Sequence, residues 1–475
     1  MIAGWKAYDL APFFYAPLDD VDAIEYRQEI ARELERDDVM ATILDFAGAM
    51  RAVREHLDQA QHLHYFARET QRWHLRAAEL YCDAVEHVSR DLERLAPSSR
   101  GLRGLIAYLR EYVAGPAFTA LASAVRKAAS DLAAVRYALW LRQGSATVRA
   151  YDGEPDYTVA VEETFAKFRR ADAKDYLVKL TWTVGLCDLE ARILDGIAEL
   201  HPEPFAALAA FCAEHARFVD AAIARFDREI EFYVAYLARI APLRRAGLPF
   251  CYPRMSSTSK AVSCKDAFDL ALASKLHAER AEIVRNDFYL HGGERVFVVT
   301  GPNQGGKTTF ARTFGQLQYL AALGLPVPGA EAHLFAFDHL FTHFERAEHV
   351  ETLRSKLEDD LVRMHEILDA ATSRSVLVIN EAFASTTLED AVALSKRVLA
   401  RICEFDSLAV WVTFLDELAA FDPKVVSVVS TVDPRDVAVR TFHIERAPAS
   451  GLAYAFAIAE KHGVTYTRLM ERVHP

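Results

Sequence analysis

Only six cysteines are spread through 475 residues, and none falls in a C-x-x-C pair. That scatter argues against a disulfide framework or a cysteine zinc site and fits a reducing cytoplasm. Long apolar runs are missing as well. None approaches the ~20 residues of a membrane helix, so no membrane partner is expected. The start, MIAGWKAYDLAPFF, has neither the basic opening nor the long apolar stretch of a secretion signal. Basic charge is in deficit: 55 Lys and Arg stand against 67 Asp and Glu, a net charge of −12. A chain coated in nucleic acid is therefore not indicated, although a local basic groove is compatible with that balance. There is no internal repeat and no low-complexity segment.

What the chain has is apolar material. Hydrophobic residues make up 52% and charged residues 26%, enough for sizeable cores and two or three domains at this length. Up to about residue 290 the apolar residues recur every three or four positions, the helical period. The pattern predicts helices over 21–57, 69–95 and 117–142. It also predicts one long helix from Pro204 to Ile240, roughly 55 Å at 1.5 Å per residue, a lever ended by Pro242 and Gly247. Between these, ATVRAYDGEPDYTVAVEETF (146–165) carries Asp-Gly-Glu-Pro turn chemistry between alternating flanks and predicts a short hairpin. The polar MSSTSK within 248–282 suggests a boundary.

After about residue 285 short β-rich runs take over: RVFVVT (295–300), RSVLVI (374–379), LAVWVTF (408–414), VVSVVSTV (425–432) and VRTFHI (439–444). Helical patterns separate most of them, the layout of an α/β fold with a mostly parallel sheet. The first of these strands runs into GPNQGGKT, Gly301 to Thr308, which matches G-x-x-x-x-G-K-[ST] and precedes a helical pattern. In that context Gly301, Gly305 and Gly306 let backbone N–H groups approach phosphate oxygens. Lys307 neutralises the β- and γ-phosphates, and the Thr308 hydroxyl serves Mg²⁺. A second run, SVLVINEAFAS (375–385), ends in Asn380 and Glu381 at the strand's C-terminal end, the ligand side of an open α/β sheet. Third, Ser355 and Glu358 in RSKLEDDLVRMHEIL form a capping box, and a capped helix N-terminus is also an anion site.

Together these segments resemble the MutS family of mismatch-repair ATPases, in the ABC-type class of P-loop proteins. The family loop T-G-P-N-M-G-G-K-S-T corresponds to TGPNQGGKTT, 300–309, with Gln304 for Met and Thr308 for Ser. The resemblance implies that Pro302, Asn303, Gln304 and Thr309 share in nucleotide binding, with Asn303 on the γ-phosphate, and that ATP and Mg²⁺ are the cofactors. It continues in GLPVP (324–328), DHLFT (338–342), SKLEDDL with its signature Ser at Ser355, NEAFASTTLEDA (380–391) and the closing 449–473. It places Ile283 against the adenine, Glu381 and Lys307 as catalytic groups, Asn380 with Thr308 at the metal, and Asp390 in a dimer-contacting loop. The implied architecture is an ATPase domain over 283–475, preceded by a mainly helical, lever-like domain over 1–282.

Departures from the family pattern matter equally. Asn380 stands where the family has Asp. Phe414, in TFLDEL, stands where it has a γ-phosphate-sensing His. No F-x-E tripeptide occurs, so a mismatch-reading domain is not expected. The expected protein is a homodimeric, slowly hydrolysing, cytoplasmic ATPase associated with structured DNA, a DNA-repair-like role. Basic residues in KFRRADAK (167–174) are candidates for phosphate contacts. The competing expectation is an ATP-gated scaffold without DNA binding.

Overall fold

The computed structural model describes residues 8–62, 66–142, 145–155, 157, 164, 186–344, 356–449, 464–466 and 469–470. In chain order it forms α1 (Ala11–Tyr15), α2 (Val21–Glu33), α3 (Asp37–His62), α4 (Ala67–Leu95), α5 (Arg100–Ala114), α6 (Pro116–Ala133), β1 (Tyr137–Arg142) and β2 (Ser145–Ala150). Then come α7 (Asp188–Leu200), α8 (Pro202–Glu214), α9 (Ala221–Arg245), β3 (Phe250–Cys251), β4 (Arg254–Ser256), β5 (Val262–Ala267), α10 (Leu270–Glu279), β6 (Asn286–Leu290) and β7 (Val296–Thr300). The rest is α11 (Lys307–Ala322), β8 (Val327–Pro328), β9 (Glu331–Phe335), β10 (Leu340–His343), α12 (Lys356–Ala370), β11 (Val376–Asn380), α13 (Leu388–Phe405), β12 (Leu408–Val412), β13 (Val425–Asp433) and β14 (Asp436–Arg446).

Two compact units result. The first comprises Met1–Glu35, Ser99–Gly101 and Arg228–Pro475. Its main sheet has the order β10-β11-β12-β7-β13-β14, parallel except for β14, which returns antiparallel along β13. Strands β7, β11 and β12 are buried at every position, which is why they read as continuous apolar runs rather than alternating ones. Val298, Leu377, Ile379 and Trp411 face a core shared with Met364 of α12 and with Leu399 and Ile402 of α13. On the opposite side Phe297 meets Phe310 and Phe314 of α11, ring centroids 5.8 and 5.9 Å apart. Helices thus cover both faces and leave the strand ends as the accessible edge.

The second unit, Arg36–Ser98 and Leu102–Asp227, is mainly helical. Helix α3 packs along α4, and α4, α6 and α8 contact one another. The β1–β2 hairpin rests on α7, where Val148 Cγ2 lies 3.4 Å from the position a Cβ would take at Gly196.

Several elements differ from the sequence reading. The helix expected over 21–57 is two helices, interrupted at 34–36. The Pro204–Ile240 lever is also two. Asp220 separates them: its carboxylate accepts from Ala222 N and Ile223 N at 2.9 and 3.1 Å and from Tyr108 Oη at 2.7 Å, starting α9 afresh. Pro242 sits inside α9, which closes only before Gly247, at φ +86°. The helix expected to reach 142 stops at Ala133, because Tyr137–Arg142 pairs with Ser145–Ala150. The hairpin is therefore 137–150 rather than 146–165, and Gly153 of the Asp-Gly-Glu-Pro turn (φ +84°) follows it.

The compact units also divide the chain differently from a boundary at 282/283. Residues 250–267 form strands that hydrogen-bond with 327–335, β3 with β8 and β4 and β5 with β9. The N-terminal segment joins them: Leu18 N donates to Ala322 O at 2.8 Å, Tyr319 Oη to Phe14 O at 2.5 Å, and Gln28 Nε2 to Pro253 O at 3.0 Å.

Candidate functional site

The loop between β7 and α11 is shaped by its glycines. Gly301 and Gly306 adopt φ +112° and +95°, a region closed to most side chains, and Gly306 caps α11. Gly305 is tightest. A Cβ there would fall 2.2 Å from Ser430 Oγ and 2.9 Å from Pro302 O. Ser430, on β13, holds the loop from below by donating to Gly305 O at 2.5 Å.

Lys307, at the first turn of α11, is buried. Its Nζ donates to Gly301 O (2.9 Å), Pro302 O (3.1 Å) and Asn303 Oδ1 (3.3 Å). Burial pushes the ammonium pKa below its ordinary value; the nearby Glu381 carboxylate opposes that shift and Arg440 adds to it. A buried cation held by neutral acceptors is costly, and an arriving anion would offset the cost. Thr308 Oγ1 donates to Asn380 Oδ1 at 2.8 Å, joining the loop to the C-terminal end of β11. The next residue, Glu381, is aimed by an unusual turn. Its φ is +52° and that of Phe383 is +61°, and Glu381 N donates to Val412 O at 2.9 Å. Such a left-handed pair is maintained only where the surroundings enforce it; here Phe383 is wholly buried.

Asn303, Gln304, Gly305, Gly306, Lys307, Thr308, Thr309 and Glu381 line one cavity of about 360 Å³. A second cavity, about 290 Å³, contains Ile283, Phe268, Ala273 and Leu276. The two share Leu272, Gly306, Thr309 and Phe442, so a polar chamber adjoins an apolar one. Asp269, on the apolar chamber's wall, is buried. It caps α10 through Leu272 N at 2.8 Å and accepts from Arg312 Nε at 2.8 Å.

Most of the residues named from sequence converge here. Gly301 and Pro302 contribute the carbonyls around Lys307, and Ile283 sits in the neighbouring chamber. Asp390 does not line either cavity. It belongs to the cap of α13, where Thr387 Oγ1 donates to its Oδ2 at 2.8 Å and its own N–H donates to Thr387 Oγ1 at 3.3 Å. Phe414 is 54% exposed and lines neither cavity. Ser355, the 167–174 cluster and most of the closing segment lie outside the described residues.

Among the participants not singled out from sequence are Ser430, Arg440 and Phe442. Arg440 Nε donates to Asn303 O at 3.3 Å. Phe442 has φ +60°, and Asn286 Nδ2 donates to its carbonyl at 3.1 Å. All three fall in runs that read simply as strand. Only the packing of β13 and β14 beside β7 brings them to the loop.

Comparison with known proteins finds similarity to one family. The model of MutS domain V matches residues 297–465. Endonuclease MutS2 of Gemmatimonas aurantiaca is 31% identical over 156 residues, 33% of this chain and 19% of that protein. DNA mismatch repair protein MutS of Psychrobacter cryohalolentis is 29% identical over 176 residues, 36% of this chain and 16% of that protein. The matched part thus spans less than a fifth of either relative. Over residues 297–465, which include the loop, Lys307, Asn380 and Glu381, the chain is similar to MutS domain V and to members of the MutS family.

Proposed function

We propose that the first unit binds Mg²⁺-ATP and hydrolyses it slowly, as a homodimeric switch associated with DNA. The observation that carries this reading is the pair of joined chambers. The polar one presents Lys307, a buried cation with neutral partners, and the apolar one offers Ile283 and Phe442. A triphosphate fits the first and a base the second.

The donor set near Thr308 suits magnesium. A hydroxyl and an amide oxygen, 2.8 Å apart, are hard ligands of the kind Mg²⁺ takes alongside several waters. Bound there, the ion would supply charge neutralisation between the β- and γ-phosphates. The chain's own residues do the rest. Loop amides and Lys307 hold the phosphates, and Glu381 orients and deprotonates the attacking water. Asn380 carries no charge where the family has a carboxylate. Ground-state binding, which rests on the loop, survives that change, whereas the transition state loses electrostatic support. Association with DNA is supported by the relatives, one of which is a DNA mismatch repair protein. Dimerisation is supported by the family resemblance of the Ser355 segment.

The test is ATP binding by calorimetry and turnover with and without single-stranded, duplex, mismatched and branched DNA. Tight binding with slow turnover is expected. Lys307→Ala should weaken ATP by at least about tenfold, given the ~1.5–3 kcal/mol of a charge-assisted contact. Asn380→Asp should speed hydrolysis, and Glu381→Gln should stop it. Equal ATP affinity in Lys307→Ala and the parent would reject the assignment. A strict monomer by light scattering under saturating ATP would reject the dimer, and failure of every DNA to bind would favour an ATP-gated scaffold.

A further inference from the structure

The β1–β2 hairpin of the helical unit carries a feature that the ATP site does not use. Residues 136–150 hold three arginines, Arg136, Arg142 and Arg149, and no acidic residue, in a chain of net charge −12. Cross-strand pairing sorts the side chains. Trp140 lies opposite Thr147, Ala138 opposite Arg149, and Arg142 opposite Ser145, so these six share one face. Val148, paired with Leu139, belongs to the other face, which meets Gly196 of α7. The Trp140 face is therefore turned away from α7. Trp140 is 42% exposed, and the Arg149 guanidinium stands 5.0 Å from the ring centroid.

Several arginines on the helices of this unit are held in ion pairs. Arg68, Arg72, Arg76 and Arg110 each pair with a carboxylate. Among the described residues neither Arg142 nor Arg149 has such a partner. Arg149 acts on the Glu154 carboxylate only through its charge, and that carboxylate accepts from Asp152 N at 2.7 Å. Guanidinium groups without a carboxylate partner beside an exposed indole match what a nucleic-acid strand offers: phosphates for the cations and an unpaired base for the ring. Bases inside a duplex keep their faces stacked on each other. An aromatic platform therefore selects a single strand, whereas arginines alone would accept either form.

We infer that the Trp140–Arg142–Arg149 face of the hairpin binds single-stranded nucleic acid, one base stacking on Trp140 and flanking phosphates contacting the two arginines. This deepens the DNA association proposed above and rests on it.

Fluorescence anisotropy of a labelled twenty-nucleotide oligo-dT, and of the matching dA·dT duplex, tests it with the full chain over a salt series. The parent should prefer the single strand. Trp140→Ala should weaken the single strand by about tenfold or more and the duplex hardly at all, since stacking is what it removes. Trp140→Phe should retain most of the affinity. The double variant Arg142→Ala/Arg149→Ala should weaken binding and reduce the log–log salt slope by about 1.4, the share of two phosphates on a single strand. All these residues are exposed, and an unchanged circular-dichroism melt in the same samples would verify folding. If the parent binds the oligonucleotide and the variants match it, the hairpin assignment falls and DNA association stands. A duplex preference untouched by Trp140→Ala also overturns the assignment. If the parent binds neither probe, the hairpin assignment falls, while DNA association is decided by the mismatched and branched DNAs above and ATP binding remains.

Discussion

Two of the sheets among the described residues are built in opposite ways. In the six-stranded sheet the strands β7, β11 and β12 are buried on both faces. In the β1–β2 hairpin one face rests on a helix and the other is open, and β2 alternates between exposed and half-buried. A sheet covered on both sides can do chemistry only at its ends, where loops leave the strands, so Lys307, Asn380 and Glu381 all sit at the C-terminal edge. A two-stranded ribbon has no such protected edge. It offers a surface, and recognition on it depends on side chains standing on a face. The first design demands backbone geometry; the second tolerates almost any backbone-neutral exchange.

The largest effect that would break this contrast concerns Gly305. If end chemistry depends on loop geometry, Gly305→Ala should abolish measurable ATP binding, a loss of about a hundredfold or more. The new methyl would collide with Ser430 Oγ and Pro302 O, and overpacking moves the backbone. Circular dichroism should show the sheet unchanged, while Trp140→Ala on the hairpin face should leave the melting temperature where it was. Parent-like ATP affinity in Gly305→Ala would remove the distinction.

A second, smaller effect sharpens the division between the two chambers. Phe442 lines both, in a left-handed conformation that an aromatic residue rarely adopts. Phe442→Ala should weaken ATP by several-fold, about 1 kcal/mol for a lost ring contact. It should leave the affinity for inorganic tripolyphosphate unchanged, because the ring serves the base and the loop serves the phosphates. Equal losses for the two ligands would mean that Phe442 shapes the loop instead.

How far each region could be read in advance follows from the same physics. Strands β7, β11 and β12 are short apolar runs rich in Val, and their shortness and β-branched content favour strand over helix. The phosphate loop announces itself because its glycines and lysine are local in sequence. The hairpin lies about ten residues before the place its turn chemistry predicts. Tyr137–Arg142 can continue a helical stripe as easily as it forms a strand, and Asp-Gly-Glu-Pro was a stronger turn signal than the true connection. The break at Asp220 was hidden because a capping aspartate between two apolar stripes resembles a polar position within one. Ser430 and Phe442 reach the site from across the sheet, and no spacing within the chain encodes that approach.

The smallest effect comes from the end of the sheet opposite the site. Asp406, the left-handed cap of α13 (φ +63°), has three cations around one carboxylate. Lys424 Nζ and Arg295 Nε lie 2.8 and 3.0 Å from Oδ1, and Lys260 Nζ is 2.9 Å from Oδ2. Partial burial alone would raise the pKa, but these cations outweigh it and hold the carboxyl well below its usual 3.8. A depressed folded pKa contributes stability that is complete above the unfolded value and is lost as pH falls toward the folded one. Asp406→Asn keeps the shape and, because asparagine accepts the left-handed conformation, adds little backbone strain. It should lower the urea midpoint at pH 7 by the equivalent of about 1 kcal/mol, the modest size fitting a partly exposed network. The gap between parent and variant should narrow at pH 3, since there only the parent has begun to lose its carboxylate contribution. ATP affinity should not change, because the substitution lies at the strand ends away from the loop. A gap that stays constant or widens between pH 7 and pH 3 would show that Asp406 holds this edge through its shape and cap geometry, with its charge contributing nothing.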